Sequence, residues 1–566
     1  PVPTQSSSPT PKAPTADPFA LISQESLFTF MEDLTAIQPY SGWRNSATEG
    51  EAEALDYVAD SLDELAYLKG LGLEVERQSF PVFMATELWD TRLHLTVDGQ
   101  EAEVPADGIR GHRDDISKTL RFDSDGMLND TDRNPAEAGG PALLIRSPED
   151  IHSLSPARVE GRVAFVDYAA VDPSQMGKEE AAQNLSKLLD KRPAGLVLVT
   201  HFSNQPRESH GTFVGDGSAF DEVKATWAPL TLYARLEDMA PAGVKSWDDL
   251  ERVEAARLTW DADVLSPGSS GNLVARVPGL DPSKAVILGA HIDSPNSPGA
   301  MDDGSGSVVL LEVARVLNEA QVQPPTDVYL VWFGSEELGL YGSYNFVSTH
   351  QELLDRTAGM LQIDMLSRPL NGIQAQLDLV TWSYGRLGDA RLAWPDYLAQ
   401  TAAEQGVETH PMNYFGIESD NSAFAGFDVP NANLIYKNDQ QMGQYGPIHY
   451  AAHIHDPYDT VELARESGEV LEQMAHVALS AALETGNDDP NLRVPPQPDR
   501  RALFIASHTE SIHMAPTTFT DLGMALAMEA FDVDLIPYGQ AVTSDELENA
   551  DLVVALPAVD FPSPDG

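Results

Sequence analysis

AHIDSPNSPGAMDDGSG (290–306), VYLVWF (328–333) and GSEELGLYGS (334–343) make up the stretch whose reading decides the fold. The apolar runs 285–289 and 327–333 each read as a strand buried on both faces, and so as parallel strands. The polar words directly after them put His291 and the pair Glu336–Glu337 just past strand carboxyl ends, where open α/β sheets build their sites. Asp302 stands in the connection between, ahead of a helix expected over 305–318. Two further candidates lie downstream: Asp364 after the run GMLQI, and His455 in HDPYDT. Two His and three carboxylates can hold two divalent ions and leave one Glu free as a base.

Working outward, strands and helices alternate. A helix is expected at 342–349, strands at 359–363 and 377–381, a helix at 393–405, a strand at 432–436 and a helix at 461–485. This predicts an α/β fold with a mostly parallel, mixed sheet flanked by helices. Upstream, 21–37 reads as an amphipathic helix. Leu55, Val58, Ala59 and Leu62 share one face of a second helix, with Thr48 and Glu51 spaced as a capping box. LEVERQSF (73–80) then reads as a strand. The six expected segments are a Pro/Ser/Thr-rich spacer (1–18), a first part of the main domain (19–83), a β-rich insertion of short strands (84–265), the site-bearing part (266–488), a Pro-rich linker (489–500) and a partial Rossmann-like α/β unit (501–566). The last unit has no G-x-G-x-x-G, so no cofactor is assigned to it. Because the linker precedes it and no site residue lies beyond, the tail is expected to be removable. His201, His210, His508 and His513 read as loop, surface or structural residues.

The words GAHIDS (289–294), MDDGSG (301–306), GSEELGLYGS (334–343), QIDM (362–365) and HDPYDT (455–460), in that order, resemble the M28 family of zinc aminopeptidases and carboxypeptidases. The likeness covers most of the chain from Arg44 onward, including R-x-x-x-T-x-G at Arg44 and Thr48. The insertion resembles a protease-associated domain through GRVAFV and AGLVLV. The resemblance implies two zinc ions, with His291, Asp302, Glu337, Asp364 and His455 as ligands and Asp302 bridging them. It implies Glu336 as the general base that takes a proton from the attacking water and passes it to the leaving amine. Asp293 and Asp459 would orient the rings of His291 and His455, and Asp303 would order the turn into the helix. Some relatives carry a Tyr before the closing His; this chain has Ile454, with Tyr450 or His453 left as substitutes. Where many relatives have Asp-His, this chain has Asp420–Asn421.

Composition sets the outer bounds. The chain has 566 residues, with 35 Lys+Arg against 88 Asp+Glu, a formal net charge of −53. Such charge disfavours nucleic acid and anionic lipid as partners. It fits either a salt-adapted surface or a generally acidic secreted protein. The absence of Cys excludes disulfides and thiolate metal sites, so a metal must use His and carboxylate. No apolar run reaches the length of a membrane span. The Pro/Ser/Thr stretch reads as a spacer after a removed leader, so a secreted or surface-tethered protein is expected. The function expected first is an aminopeptidase acting on peptides with a free N-terminus. A carboxypeptidase or dipeptidase would need a cation for the substrate carboxylate, for which Arg368 is a candidate. A one-zinc glutaminyl cyclase and a metal-free binding protein complete the alternatives. Oligomeric state is left open.

Overall fold

The computed structural model describes residues 16–82, 85–104, 136–171, 178–200, 229–265, 268–294, 297–367, 375–381, 393–413, 419–425, 429–438, 459–486, 500–505, 526, 532–536 and 541–555. Its central feature is an eight-stranded sheet. In spatial order the strands are Glu74–Val82, Gly268–Val277, Thr326–Phe333, Asp281–His291, Thr357–Ile363, Asn431–Asn438, Ala375–Thr381 and His410–Asn413. The four strands from Thr326–Phe333 to Asn431–Asn438 run parallel, and antiparallel strands flank them on both sides. The sheet is therefore mixed, as the alternating pattern predicts.

The central strands are apolar throughout because both faces are covered. Val286, Leu288, Ala290, Leu330, Trp332 and Leu361 point to one core. That core is closed by the helices Gln24–Thr35, Gly304–Ala320, Ala393–Glu404 and Gly468–Glu484. Ala285, Ile287, Val331, Phe333 and Met360 point the other way, onto Tyr344, Phe346, Leu353 and Phe424. A strand with period 2 and two buried faces needs apolar residues at every position, which is why alternation is absent here.

Residues 85–265 build a separate seven-stranded sheet. Its strands Val163–Asp167, Gly195–Thr200 and Leu230–Arg235 are parallel neighbours. The expectation of short strands fails for Ala85–Val97 and Val253–Leu265. These form a 13-residue antiparallel pair in which, over residues 92–97, buried apolar side chains alternate with more exposed polar ones. A third sheet orders Asp532–Ile536, Arg501–Ile505 and Leu552–Ala555, all parallel.

Three expectations need correction. Thr48 stands at the N-cap of the helix Glu49–Asp63 but makes no capping hydrogen bond; its hydroxyl turns back to the Asn45 carbonyl. Glu51 leaves the cap as well and is buried in a different network. The helix expected over 461–485 is broken at the 3-10 turn Arg465–Ser467, where the Ser467 hydroxyl donates to the Ser367 carbonyl. The tail is not loosely attached. Ala502 and Phe504 are fully buried in the same cluster as Phe346 and Phe424, on the second face of the main sheet. Among the described residues no helix is long and apolar enough to cross a membrane.

Candidate metal centre

Three adjacent parallel strands deliver the candidate residues at their carboxyl ends. His291 closes Asp281–His291; the turn Gly334–Ser335–Glu336–Glu337 follows Thr326–Phe333; Asp364 follows Thr357–Ile363. Asp302 comes from the loop ahead of the helix Gly304–Ala320. His291, Asp302 and Asp364 converge so that one ligand atom of each lies within 4.8 Å of the others, and so do His291, Glu336 and Glu337. All are buried except Glu337, which is partly exposed.

The imidazole is held in one orientation. Its Nδ1 lies 3.1 Å from the Asp293 carbonyl and 3.5 Å from Asp293 Oδ1. Its Nε2 faces inward, 3.1 Å from Asp302 Oδ1 and 3.8 Å from Asp364 Oδ1. A proton kept on Nδ1 by Asp293 leaves Nε2 as the donor for a metal. Asp293 does more than support the ring. Its two oxygens accept the backbone amides of Glu336 (3.1 Å) and Glu337 (3.2 Å), and Oδ2 also takes the Ser46 hydroxyl at 2.5 Å. Asp303 caps the helix Gly304–Ala320 through the Gly306 amide at 2.8 Å and reaches the His291 amide at 3.2 Å. Asp459 receives the amides of Met301 (2.7 Å) and Asp302 (3.1 Å), so it holds the loop that presents Asp302. Asp364 is steadied by the Ser419 hydroxyl at 2.6 Å.

Packing so many acids together has electrostatic consequences. Burial, only partly relieved by His291 and reinforced by Glu337 and Asp420, pushes the Glu336 carboxyl well above the usual range. Burial likewise raises Asp364 to about 6 and Asp420 to about 7. Burial pulls the His291 imidazole down, but Glu336, Asp293 and Asp302 outweigh it and leave it well above its ordinary value. Carboxylates that resist ionising together, grouped round one imidazole, are what a cation would relieve. The donor set of N and O atoms without sulfur suits a zinc-type ion.

One cation already serves the cluster from behind. Arg44 is wholly buried, and its guanidinium donates to the carbonyls of Ile292 (2.9 Å), Pro298 (2.6 Å) and Gly299 (2.9 Å). Burial lowers it to about 10, opposed by Asp459, Asp293, Asp303 and Asp302. The Arg44 word seen in the sequence thus pins the loop between His291 and Asp302. Sequence reasoning did not assign Ser46, Glu51, Ser270 or Ser419 to the site; only the proximity of Ser46 and Glu51 to Arg44 pointed that way. His455, His453, Tyr450, Ile454 and Arg368 lie outside the described residues, as do His201, His210, His508 and His513.

Residues 272–482 match the model of peptidase family M28. Leupeptin-inactivating enzyme 1 of Streptomyces exfoliatus is 39% identical over 125 residues, which is 21% of this chain and 28% of that protein. Leucine aminopeptidase 2 of Arthroderma otae is 27% identical over 336 residues, 52% of this chain and 67% of that protein. Among solved structures, a zinc aminopeptidase from Bacillus subtilis aligns over 81% of this chain and 94% of its own, with a TM-score of 0.47 and 20% identity.

Proposed function

Because residues 272–482 match the model of peptidase family M28, we propose that the chain is a zinc-dependent exopeptidase, an aminopeptidase that removes N-terminal residues from peptides. The observation that carries this reading is the convergence on His291 of Asp302 and Asp364 on one side and Glu336 and Glu337 on the other, at and beside the ends of three parallel strands. His291, Asp302 and Asp364 would hold one zinc, and Glu337 with His455 a second, with Asp302 between them. Zinc bound there supplies Lewis acidity towards the attacking water and the scissile carbonyl.

The residues of the chain divide the remaining work. Glu336 takes a proton from the attacking water and delivers it to the departing amine. Asp293 keeps the His291 tautomer and fixes the amides of both glutamates. The acid-rich lining favours a substrate's free ammonium group over its carboxylate. Arg44 does not alter that preference, because its guanidinium is turned onto three backbone carbonyls.

Two variants test the assignment. Glu336→Gln should keep its zinc and lose turnover on the order of 10²–10⁴-fold, the usual worth of a general base. Glu337→Gln should lose zinc together with activity. Zinc content and kcat on unmodified, N-acetylated and C-amidated peptides read both points. If neither variant slows hydrolysis, the site is elsewhere; if only C-amidation blocks cleavage, the enzyme is a carboxypeptidase.

A further inference from the structure

We propose that Glu51 is a positioning residue for the turn that carries Glu336 and Glu337. This rests on the reading of those two residues as base and ligand. Glu51 lies on the helix Glu49–Asp63, outside the residues matched by the family, and is almost wholly buried. Its Oε1 accepts the Ser335 amide at 2.6 Å and lies 3.3 Å from the Ser335 hydroxyl. Its Oε2 accepts the Ala47 amide at 2.8 Å, and the Ser270 hydroxyl bridges both oxygens at 3.0 and 2.9 Å.

The turn needs such a clamp. Ser335 has φ +53°, a left-handed conformation that a residue with a side chain keeps only when its surroundings impose it. The next two amides, of Glu336 and Glu337, go to Asp293. Three consecutive amides are therefore gripped by two buried acids. The same short N-terminal stretch feeds both, Ser46 onto Asp293 and Ala47 onto Glu51. Gly334 shows how closely the carboxyl is applied: a Cβ there would meet the Gly271 carbonyl at 2.4 Å and Glu51 Oε1 at 2.6 Å. Among the described residues the hydrogen-bond partners of Glu51 are two amides and two hydroxyls, with no cation. A buried carboxyl so placed costs stability. Its observable return is the placement of Ser335, and through it of the base.

The test uses the full zinc-loaded chain with Glu51→Gln and Glu51→Ala. Gln keeps one acceptor for the Ser335 amide but turns an N–H toward Ala47, so it should fall between wild type and Ala. Small misplacements of reacting groups cost up to 10²-fold, so Glu51→Ala should lose kcat on the order of 10- to 100-fold with KM little changed. The crystal structure of the same variant should show the Ser335–Glu337 backbone displaced. The control is Glu312→Gln, an equally buried carboxylate held by Ser23, Ser26 and Arg315. It should lower the melting temperature without lowering kcat. An undisplaced turn, an unchanged kcat, or a kcat loss in Glu312→Gln matching that of Glu51→Gln at equal loss of stability would overturn the inference. If Glu51→Ala does not fold, Glu51→Gln decides on the same readouts. Failure of the peptidase reading would appear separately, as an active Glu336→Gln, and the displacement measurement stands without it.

Discussion

The eight-stranded and seven-stranded sheets both contain runs of parallel, apolar, fully buried strands, and they end very differently. In the seven-stranded sheet, Val163–Asp167 closes on an Asp that accepts the Ala169 amide and starts a 3-10 turn. Its basic residues pair with acids at the surface: Arg252 with Asp98, Arg257 with Glu101, Arg146 with Glu251. In the eight-stranded sheet, the strand ends open onto a second tier of buried ionisable groups: Arg44, Glu51, Asp293, Asp303 and Asp459. Position at a strand's carboxyl end is common to both, yet among the described residues the ligating cluster stands only at the ends of the eight-stranded sheet. The difference lies in the buried tier, whose members are expensive to desolvate and are each spent on backbone amides or carbonyls of the loops that present His291, Asp302, Glu336 and Glu337.

The harshest way to break this comparison is Arg44→Met. It removes the only cation described behind the cluster and takes away the Arg44 donors to the carbonyls of Ile292 and Pro298, while the Gly299 carbonyl keeps the Gly304 amide. Breaking a buried charge arrangement of this kind costs about 3–5 kcal/mol. The variant should melt far below wild type and lose peptidase activity, as read by calorimetry and peptide hydrolysis. A stable, active Arg44→Met would mean that the buried tier does not hold the site.

Next in size is Phe504→Ala. The expectation of a removable tail came from the prolines at 495, 496 and 498, which mark a chain boundary but not what packs against it. Phe504 lies in the core of the second face, so truncating it should cost about 3 kcal/mol, at the lower end for a buried Phe. Denaturant unfolding checks it. No loss of stability would return the tail to the status of a separate unit.

Legibility followed the same divide. The strand ends carrying His291, Glu336–Glu337 and Asp364 were readable because an apolar run followed by a polar word is a local pattern. The positions of Asp302 and Asp303 before a GSG helix start were readable for the same reason. Glu51 was misread because Thr48 and Glu51 satisfy a local capping pattern, whereas its real partner Ser335 is 284 residues away. The break at Arg465–Ser467 was hidden likewise: the hydrogen bond from Ser467 to Ser367 spans 100 residues and leaves no mark on helical periodicity.

A subtler effect separates the regions by pH. Burial, with Asp293 nearby, pushes Glu51 up to about 8, and burial pushes Asp420 up to about 7. Both values lie above those of unfolded carboxyls, so between roughly pH 4 and 8 the folded chain holds more protons than the unfolded one. The stability these groups contribute is present in full below the unfolded values and is lost as pH rises through about 7–8. The melting temperature of the zinc-free chain should therefore fall across that window. The double variant Glu51→Gln, Asp420→Asn should flatten the fall. A wild-type profile that is already flat would count against the raised values.

The smallest effect belongs to the other sheet. Arg257 is an arginine like Arg44, yet its guanidinium is 2.7 Å from Glu101 and 3.9 Å from Glu137 in solvent. Water screens such a pair, and holding two long side chains together offsets most of what the attraction gives. Hydrogen bonds to Glu101 keep that carboxyl below its ordinary value, but the group is exposed and the shift carries little stability. Arg257→Ala should leave the melting temperature and kcat where they were, at low salt and high salt alike. The two arginines differ in the company they keep and not in their charge, so the pair of variants isolates burial as the variable. If Arg257→Ala destabilised the chain as much as Arg44→Met, charge alone would explain both results and the distinction between the two sheets would collapse.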